Sequence, residues 1–173
     1  MSTYQAHPEF DIINWSHWQP KDQATLCFVL KNQQILLIEK KRGLGKGKIN
    51  GPGGRFEPGE TPEACAIRET REELCVTPTH LEARGILRFQ FTDGYSLEAH
   101  VYTALGCLGD PTETEEAVPR WTPVDQIPYD QMWADDILWL PQMLDNRNFE
   151  GNFLFNDDTM LGYQLRFSPK LSS

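Results

Sequence analysis

Three glutamates, Glu69, Glu72 and Glu73, form a dense acidic group in the first half of the chain. On a helix, positions i, i+3 and i+4 project from one side, so the three carboxylates would converge. Like charges at this spacing repel, and a helix that needed only solubility would alternate them with lysine. Oxygen ligands without a matching set of His or Cys favour a hard cation, Mg²⁺ or Mn²⁺, over zinc. The pattern fits a magnesium site, but taken alone these residues fit a solvated helix face better.

The residues around this acidic group predict the helix that would hold it. Thr61, followed by a proline and an acidic residue, is typical of a helix start, and Pro78 places the helix end near Leu74. Glu60 lies just before this start, and Arg68 is adjacent to the first glutamate. A Glu60–Arg68 ion pair would join the preceding loop to the helix and orient the metal carboxylates.

A glycine-rich basic segment, residues 40–55, precedes the predicted helix. Its six glycines predict a segment without regular structure, whose backbone N–H groups would be free to face a ligand. The cations that could oppose phosphate charge are Lys40, Lys41, Arg42, Lys46 and Lys48. Next to a metal site, this pattern favours phosphate contact over the alternative, a solvated flexible loop.

Apolar runs and turn residues predict strands before, between and after two helices. Residues 24–30 and 35–38 are apolar runs around a polar turn, which is typical of a hairpin of buried strands. The other predicted elements are strands at Ile86–Phe91, Leu97–Leu105, Trp121–Val124, Phe153–Phe155 and Leu161–Phe167, and a helix at about Asp136–Asn146 that Pro141 kinks or begins. This order predicts an α/β or α+β sandwich with a mixed sheet. Residues 1–23 are aromatic-rich but aperiodic, and we expect an N-terminal arm packed on a single domain spanning 24–173.

The chain has 173 residues and a formal net charge of −9, nearly all of it in the second half. From Asp110 onward there are twelve Asp or Glu and four Lys or Arg, a balance of −8. This excess disfavours duplex nucleic acid and anionic membranes as partners, because both are bound through cations. No stretch reaches the roughly 18 apolar residues of a membrane span, and no secretory signal is visible. We therefore expect a soluble, cytoplasmic protein, with the monomer as the default state.

The segment Gly54–Val76, with the sequence GRFEPGETPEACAIRETREELCV, closely resembles the signature of the Nudix hydrolases. That signature reads Gly-x5-Glu-x7-Arg-Glu-U-x-Glu-Glu-x-Gly-U, where U is a bulky apolar residue, and every charged position is present here. Two uncharged positions differ, because Thr70 replaces the first U and Cys75 replaces the late glycine. Neither change removes a ligand, so we expect activity to be retained, with Cys75 ending the helix in place of glycine.

The resemblance implies a Mg²⁺-dependent hydrolase of nucleoside diphosphates linked to another group, on a Nudix-type α/β/α sandwich with a mixed β-sheet between helices. Mn²⁺ is the alternative cation. The catalytic residues that it implies are Glu60, Arg68, Glu69, Glu72 and Glu73. The metal ligands that it implies are the helix acids Glu69, Glu72 and Glu73, the carbonyl of Gly53, and Glu116 on a later loop.

The resemblance extends from about Thr25 to Phe167 and is greatest to the oxidised-purine nucleoside triphosphatases, a group of MutT homologues. The basic loop, the Trp-x-Asp-Asp segment at 133–136 and the tail at 148–155 carry it. It implies hydrolysis of oxidised purine nucleoside triphosphates, such as 8-oxo-dGTP, to the monophosphate and pyrophosphate, which would cleanse the nucleotide pool. The substrate-binding residues that it implies are Thr25, Lys40, Leu44, Asn50, Phe89, Trp133, Asp135 and Asp136.

The side chains of this set are chemically suited to a purine. Asn50 offers one acceptor and two donors, and of two adjacent acids in an apolar pocket one would keep its proton and donate it. Trp133 would stack on the base. Without the resemblance, a core position for Trp133 and helix capping by Asp135 and Asp136 would be the simpler interpretation. Leu44 stands where the family usually has an aromatic residue, so the base preference stays open.

Other Nudix functions remain open at this stage. The alternative substrates are a dinucleoside polyphosphate, an RNA 5′ end and a nucleotide sugar, and the acidic second half disfavours RNA. A catalytically silent binding module with the Nudix fold would be expected to have lost an acid of the signature, and none is lost.

Overall fold

Strands make up most of the regular structure, as the apolar runs predict. The computed structural model describes residues 2–5 and 7–172. The helices are α1 (Pro8–Asp11), α2 (Pro62–Leu74) and α3 (Asp136–Leu144), with a 3₁₀ turn at Tyr129–Gln131. The strands are β1 (Ser2–Gln5), β2 (Asp22–Lys31), β3 (Gln34–Lys40), β4 (Ile49–Asn50), β5 (Gly53–Arg55), β6 (Thr77–Phe91), β7 (Ser96–Leu108), β8 (Ala117–Pro123), β9 (Phe149–Asn156) and β10 (Thr159–Phe167). No helix within residues 2–5 and 7–172 is long and apolar enough to cross a membrane.

Two compact units divide the chain. The first unit comprises residues 1–23, 84–100 and 134–173, and the second comprises residues 24–83 and 101–133. Strands β6 and β7 contribute residues to both units. The division into an N-terminal arm (1–23) and a single domain (24–173) stays a prediction. Residue 1 of the arm and residue 173 of the domain lie outside the described residues.

In the second unit, a two-residue turn joins β2 to β3. Leu30 pairs with Ile35 across the hairpin, and Asn32 and Gln33 between the strands have φ values of 54° and 61°. Positive φ at both central residues is the turn geometry that matches the twist of the flanking strands. β5 adds to β2, while β4 and β8 add to β3, all antiparallel. The predicted hairpin is confirmed, whereas the prediction that residues 40–55 have no regular structure is wrong, because β4 and β5 lie within them.

Apolar residues from the strands and from α2 form the core of the second unit. Helix α2 contributes Ala66 and Leu74, both fully buried in one cluster with Cys27 and Val29. Thr70 is also buried, and its hydroxyl donates a hydrogen bond to the carbonyl of Ala66 at 2.7 Å. One side of the helix therefore faces the core, which leaves its other side available to charged residues.

Both ends of α2 lie where the sequence predicts them. Thr61 Oγ1 accepts a hydrogen bond from the N–H of Ala64 at 3.2 Å, which caps the first turn. At the other end, Cys75 has the left-handed conformation, with φ +61°, and its N–H donates to the carbonyl of Arg71. Cys75, in place of the signature glycine, therefore ends the helix in the glycine-like conformation, at a cost in backbone strain.

The first unit holds a mixed sheet. β1 pairs with β10 and β10 with β9, both antiparallel, whereas β9 runs parallel to β6 from Gly85 to Phe91. Trp139 of α3 stacks on Phe149, with ring centroids 5.0 Å apart. The helix continues through Pro141 and ends at Leu144. The predicted fold class, an α/β sandwich with a mixed sheet, is confirmed.

The N-terminal segment, which the sequence shows as aperiodic, contains the strand β1 and the short helix α1. β1 extends the sheet by pairing with β10 from Ser2 to Gln5. Phe10 is 3% exposed and lies against Gly162, where an added Cβ would come within 2.8 Å of the Phe10 Cβ. Trp15 contacts Phe10, with ring centroids 5.6 Å apart. Strand pairing and aromatic contacts therefore pack this segment, and elements of four residues are too short to show a hydrophobic period.

Candidate active site

Arg68 is the electrostatic centre of the charged side of α2. Its Nε and Nη2 donate to the two oxygens of Glu60, at 2.7 and 2.9 Å, in a bidentate pair. Its Nη1 donates to Glu69 at 2.8 Å and to Glu72 at 3.2 Å. The hydrogen bonds from Arg68 lower the pKa of Glu60 to about 2, and those to Glu60 raise the pKa of the guanidinium. The structure brings Glu60 and Arg68 together, which ties the loop before α2 to the helix.

Three carboxylates converge in the second unit. Oxygens of Glu69, Glu73 and Glu116 lie within 4.8 Å of one another, and we name these three residues the acidic cluster. Glu73 is 2% exposed, whereas Glu69 and Glu116 are half-buried. Glu72 directs its carboxylate to Arg68 instead, and its side chain is 49% exposed. The structure therefore brings together two of the three helix acids with the loop acid.

Burial makes the acidic cluster electrostatically costly. Burial raises the pKa of Glu73 to about 8. The hydrogen bond from the N–H of Gly53 to Glu73 Oε1, at 2.8 Å, lowers this pKa but does not outweigh burial. Burial also raises the pKa of Glu69, against the opposing effect of Arg68. A divalent cation would remove this cost by neutralising the shared negative charge. The oxygen donors and their excess negative charge fit a divalent metal ion.

Two glycines allow β5 to approach the acids closely. A Cβ on Gly54 would lie 2.3 Å from the Cδ of Glu69, and a Cβ on Gly53 would lie 1.9 Å from the carbonyl oxygen of Thr25. A side chain at either position would therefore displace the strand or the carboxylate. Gly53 holds Glu73 through its N–H, and the predicted metal-binding role of its carbonyl stays a prediction.

The loop that carries Glu116 is held on two sides. Thr114 Oγ1 donates to the carbonyl of Glu73 at 2.7 Å and accepts the N–H of Glu116 at 3.2 Å. The N–H of Lys41 donates to the carbonyl of Glu116 at 2.9 Å. Arg42 Nη2 donates to Glu116 Oε1 at 2.8 Å. The acid therefore lies between the end of α2 and the basic loop.

Trp133 packs on the basic loop within the second unit. Gly45 has φ +82°, and an added Cβ there would lie 2.9 Å from Trp133 Nε1. Lys48 Nζ lies 5.3 Å from the centroid of the indole ring, within the range of a cation–π contact. Trp133 is half-buried, and Leu44 of the same loop is 43% exposed. Trp133 is therefore partly exposed to solvent, unlike a fully buried core residue.

The other substrate-binding residues predicted in this unit make local contacts. Asn50 is half-buried, and its Oδ1 accepts the N–H of Gly51 at 2.8 Å. Thr25 is buried and donates its hydroxyl hydrogen to Cys65 Sγ at 3.4 Å. Lys40 is half-buried, and its N–H donates to the carbonyl of Lys48. Their roles in substrate binding stay predictions.

In the first unit, Asp135 and Asp136 are buried, at 1% and 4% exposure. Asp135 precedes α3, but its side chain makes no capping hydrogen bond, so the capping interpretation is wrong for this residue. Its Oδ2 accepts a hydrogen bond from Trp139 Nε1 at 2.8 Å, and its Oδ1 has no hydrogen-bond partner among the residues described. Burial raises the pKa of Asp135 to about 6. Phe89, also predicted to bind substrate, stacks on Phe153 at 5.3 Å between ring centroids.

Similarity to known proteins identifies the family. A family model described as the NUDIX domain matches residues 20–143. This chain belongs to the NUDIX family. The NUDIX chain is 43% identical to the oxidized purine nucleoside triphosphate hydrolase of Mus musculus over 144 residues, 82% of this chain and 92% of the mouse protein. It is 44% identical to the Danio rerio protein of the same name over 132 residues, 76% of this chain and 85% of that protein. It is similar in structure to a MutT protein from Bacillus halodurans, with a TM-score of 0.75 and 27% identity over 87% of this chain and 99% of that chain.

Several contacts of the predicted site residues involve side chains outside the NUDIX signature. Thr114 precedes Glu116 by two residues, and a threonine at this offset can bond the local backbone, so a sequence signal exists for it. Trp139 lies four residues after Asp135, the spacing at which helix side chains meet. Arg42 pairs with Glu116 across 74 positions of sequence, and no local signal reveals that contact.

Proposed function

We propose that this NUDIX protein hydrolyses oxidised purine nucleoside triphosphates of the 8-oxo-dGTP type to the nucleoside monophosphate and pyrophosphate. It would thereby remove damaged nucleotides from the pool. The observation that carries the proposal is the 43% identity over 92% of the mouse oxidized purine nucleoside triphosphate hydrolase. Because the similarity covers nearly the whole length of the mouse protein, it includes the regions that determine substrate specificity. The signature alone indicates only a reaction class.

The acidic cluster supports binding of Mg²⁺, with Mn²⁺ as a substitute, by Glu69, Glu73 and Glu116. When bound, the cation would neutralise charge on the polyphosphate and lower the pKa of the attacking water. The N–H of Gly53 holds one oxygen of Glu73 in place for this role. Glu72 stays a predicted ligand. In this structure its carboxylate contacts Arg68 and not the acidic cluster.

The charged residues around the cluster support orientation and phosphate binding. Arg68 donates to Glu69 and holds Glu60 in a bidentate pair, so we assign it a positioning role. The basic loop, residues 40–48, would supply counter-charge to the polyphosphate, and Lys40 is its predicted phosphate contact. In the proposed reaction, water attacks an inner phosphorus, the P–O bond of the anhydride breaks, and pyrophosphate leaves.

Asp135 supports recognition of an oxidised base. Because burial raises the pKa of this carboxyl to about 6, it holds its proton more readily than an exposed aspartate does. A protonated carboxyl can donate and accept, as the edge of an oxidised purine requires. Asn50 and Asp136 would complete the contacts to the base edge, and Trp133 would stack on its face. The remaining predicted residues of the pocket are Thr25, Leu44 and Phe89.

Steady-state turnover with Mg²⁺ tests the substrate. The four compounds to compare are 8-oxo-dGTP, dGTP, 2-hydroxy-dATP and diadenosine tetraphosphate, with the nucleotide products separated and quantified by anion-exchange chromatography. We expect the highest kcat/KM for an oxidised purine nucleoside triphosphate. Equal or faster turnover of the tetraphosphate would instead identify a dinucleoside polyphosphate hydrolase.

Glu73→Gln tests the site. Loss of one charged ligand should lower kcat by about 100-fold or more for whichever substrate is preferred. The matched control is Glu63→Gln, the same chemical change at an exposed position in the first turn of α2, which should leave turnover unchanged. A fully active Glu73→Gln enzyme would show that the metal assignment is wrong.

The proposed ligand is a single nucleotide, because the acidic second half of the chain disfavours a long phosphate backbone. The cytoplasmic location and the monomeric state stay predictions. Cell fractionation and size-exclusion chromatography can test them.

A further inference from the structure

Arg42 joins the basic loop to the acidic cluster. Its Nη2 lies 2.8 Å from Glu116 Oε1, and Glu116 is one of the three carboxylates that converge within 4.8 Å. The side chains of Arg42 and Glu116 are 60% and 34% exposed. Ion pairs with this much solvent contact are weak, because water screens both charges. The guanidinium is therefore a partner of Glu116 that a stronger cation can replace.

The position of Glu116 does not depend on the Arg42 side chain. Its N–H donates to Thr114 Oγ1, and its carbonyl accepts from the N–H of Lys41. Thr114 in turn donates its hydroxyl hydrogen to the carbonyl of Glu73, which anchors the loop to α2. Removing the guanidinium should therefore leave the acid in place and remove only a competing positive charge.

We propose that Arg42 competes with the divalent cation for Glu116, and that its release on cation binding makes the guanidinium available to the polyphosphate. The inference rests on the proposed function, because it requires the acidic cluster to bind the cation. A planar guanidinium offers two parallel N–H donors that match two phosphate oxygens. Arg42 lies in a loop with four lysines, so a guanidinium freed there would act beside further positive charge.

This exchange predicts two effects of opposite sign for Arg42→Gln. Without phosphate, the variant should bind Mn²⁺ about two- to five-fold more tightly, because a weak competing ion pair is lost. With Mn²⁺ in excess, the same variant should bind inorganic pyrophosphate about five-fold more weakly or worse, because a charge-assisted hydrogen-bond donor is lost. If Arg42 only stabilised the structure, Arg42→Gln would weaken the binding of both Mn²⁺ and pyrophosphate.

Isothermal titration calorimetry on the full chain measures both affinities, with Mn²⁺ alone and then with pyrophosphate in the presence of Mn²⁺. The matched control is Lys46→Gln, which removes the same charge from an exposed position of the same loop. Lys41 is unsuitable as a control, because its Nζ donates to the carbonyl of Thr114 at 2.9 Å. We expect the Lys46 control to change Mn²⁺ affinity less than two-fold, because only long-range charge is altered.

The outcomes separate this inference from the proposed function. If wild type binds Mn²⁺ but Arg42→Gln binds it no more tightly, Arg42 does not compete for Glu116. If the variant binds Mn²⁺ more tightly but pyrophosphate equally well, the released guanidinium does not serve the phosphate. If Glu73→Gln binds Mn²⁺ as tightly as wild type does, the acidic cluster is not the cation site. The metal assignment within the proposed function is then wrong.

Discussion

At the scale of single residues, one arginine and one buried glutamate dominate the electrostatics of the site. Arg68 lies within 4.0 Å of four carboxylates: Glu57, Glu60, Glu69 and Glu72. One positive charge cannot balance four negative ones, and burial leaves Glu73 with a pKa raised to about 8. The excess negative charge is therefore concentrated where a divalent cation would relieve it.

Asp135→Asn tests whether a proton on this carboxyl recognises the base. A carboxyl with a pKa raised to about 6 keeps its proton below about pH 6 and loses it above. We expect the wild-type preference for 8-oxo-dGTP over dGTP to fall several-fold between about pH 6 and pH 8, measured as a ratio of kcat/KM values. Asparagine donates at every pH, so the variant should lose this dependence.

The exposed residue Asp130 provides the control, because Asp130→Asn makes the same chemical change outside the buried pair. This control should keep the wild-type pH profile. An unaltered profile in Asp135→Asn would contradict the role given to the proton.

At the scale of elements, tertiary contacts satisfy the last carbonyls of α2. The carbonyl of Leu74 accepts the N–H of Thr112 at 2.9 Å, and that of Glu73 accepts the hydroxyl hydrogen of Thr114 at 2.7 Å. The last carbonyls of a helix have no partner within it and need one from outside. The loop that delivers Glu116 to the acidic cluster therefore also satisfies the end of the helix.

Cys75→Gly is expected to stabilise the protein. Cys75 is exposed and has φ +61°, a conformation that costs a residue with a Cβ and suits glycine. The free energy of unfolding should rise by about 0.5–1 kcal/mol, measured by urea denaturation. Cys75→Ala keeps the Cβ and loses only the thiol, so it should show no such gain. A lower stability of the glycine variant would contradict the assignment of strain to this residue.

At the scale of the whole molecule, the N-terminal segment extends the sheet of the first unit. Strand β1 pairs with β10 and replaces it at the end of the strand order, and a four-residue strand offers another chain a shorter edge than β10 would. Phe10 and Trp15 hold the segment through ring contacts, and Trp18 Nε1 donates to Gln90 Oε1 at 2.9 Å. The NUDIX family model begins at residue 20, so most of this segment is additional to the matched region.

Phe10→Ala tests the contribution of this segment to stability. Removing a phenylalanine that is 3% exposed should lower the free energy of unfolding by about 3 kcal/mol, measured by urea denaturation. Ile12→Ala is the matched control, because Ile12 lies two residues away and is 83% exposed, and it should change stability little. Equal effects of the two substitutions would show that the segment is not anchored through Phe10.

Much of the fold follows from the sequence because its signals are local. Thr61 and Pro78 predict the bounds of α2, and the polar turn at 31–34 predicts the first hairpin. The elements of the N-terminal segment cannot be predicted from the sequence. Four residues are too few to show a hydrophobic period, and β1 depends on pairing with the distant strand β10. The position of the α3 helix follows from the sequence, and because the helix continues through Pro141, the alternative in which Pro141 begins it is wrong.

Within the site, spacing along one helix and its preceding loop is enough to predict which residues lie together there, including the Glu60–Arg68 pair. The sequence does not show that Glu73 lies beside Glu116 while Glu72 contacts Arg68, because both arrangements arise from folding. Successive helix residues point about 100° apart, and in this structure Glu72 and Glu73 contact different partners. The N–H of β5 that holds Glu73, and the loop contacts that deliver Glu116, come from distant parts of the chain and exist only once the second unit has folded.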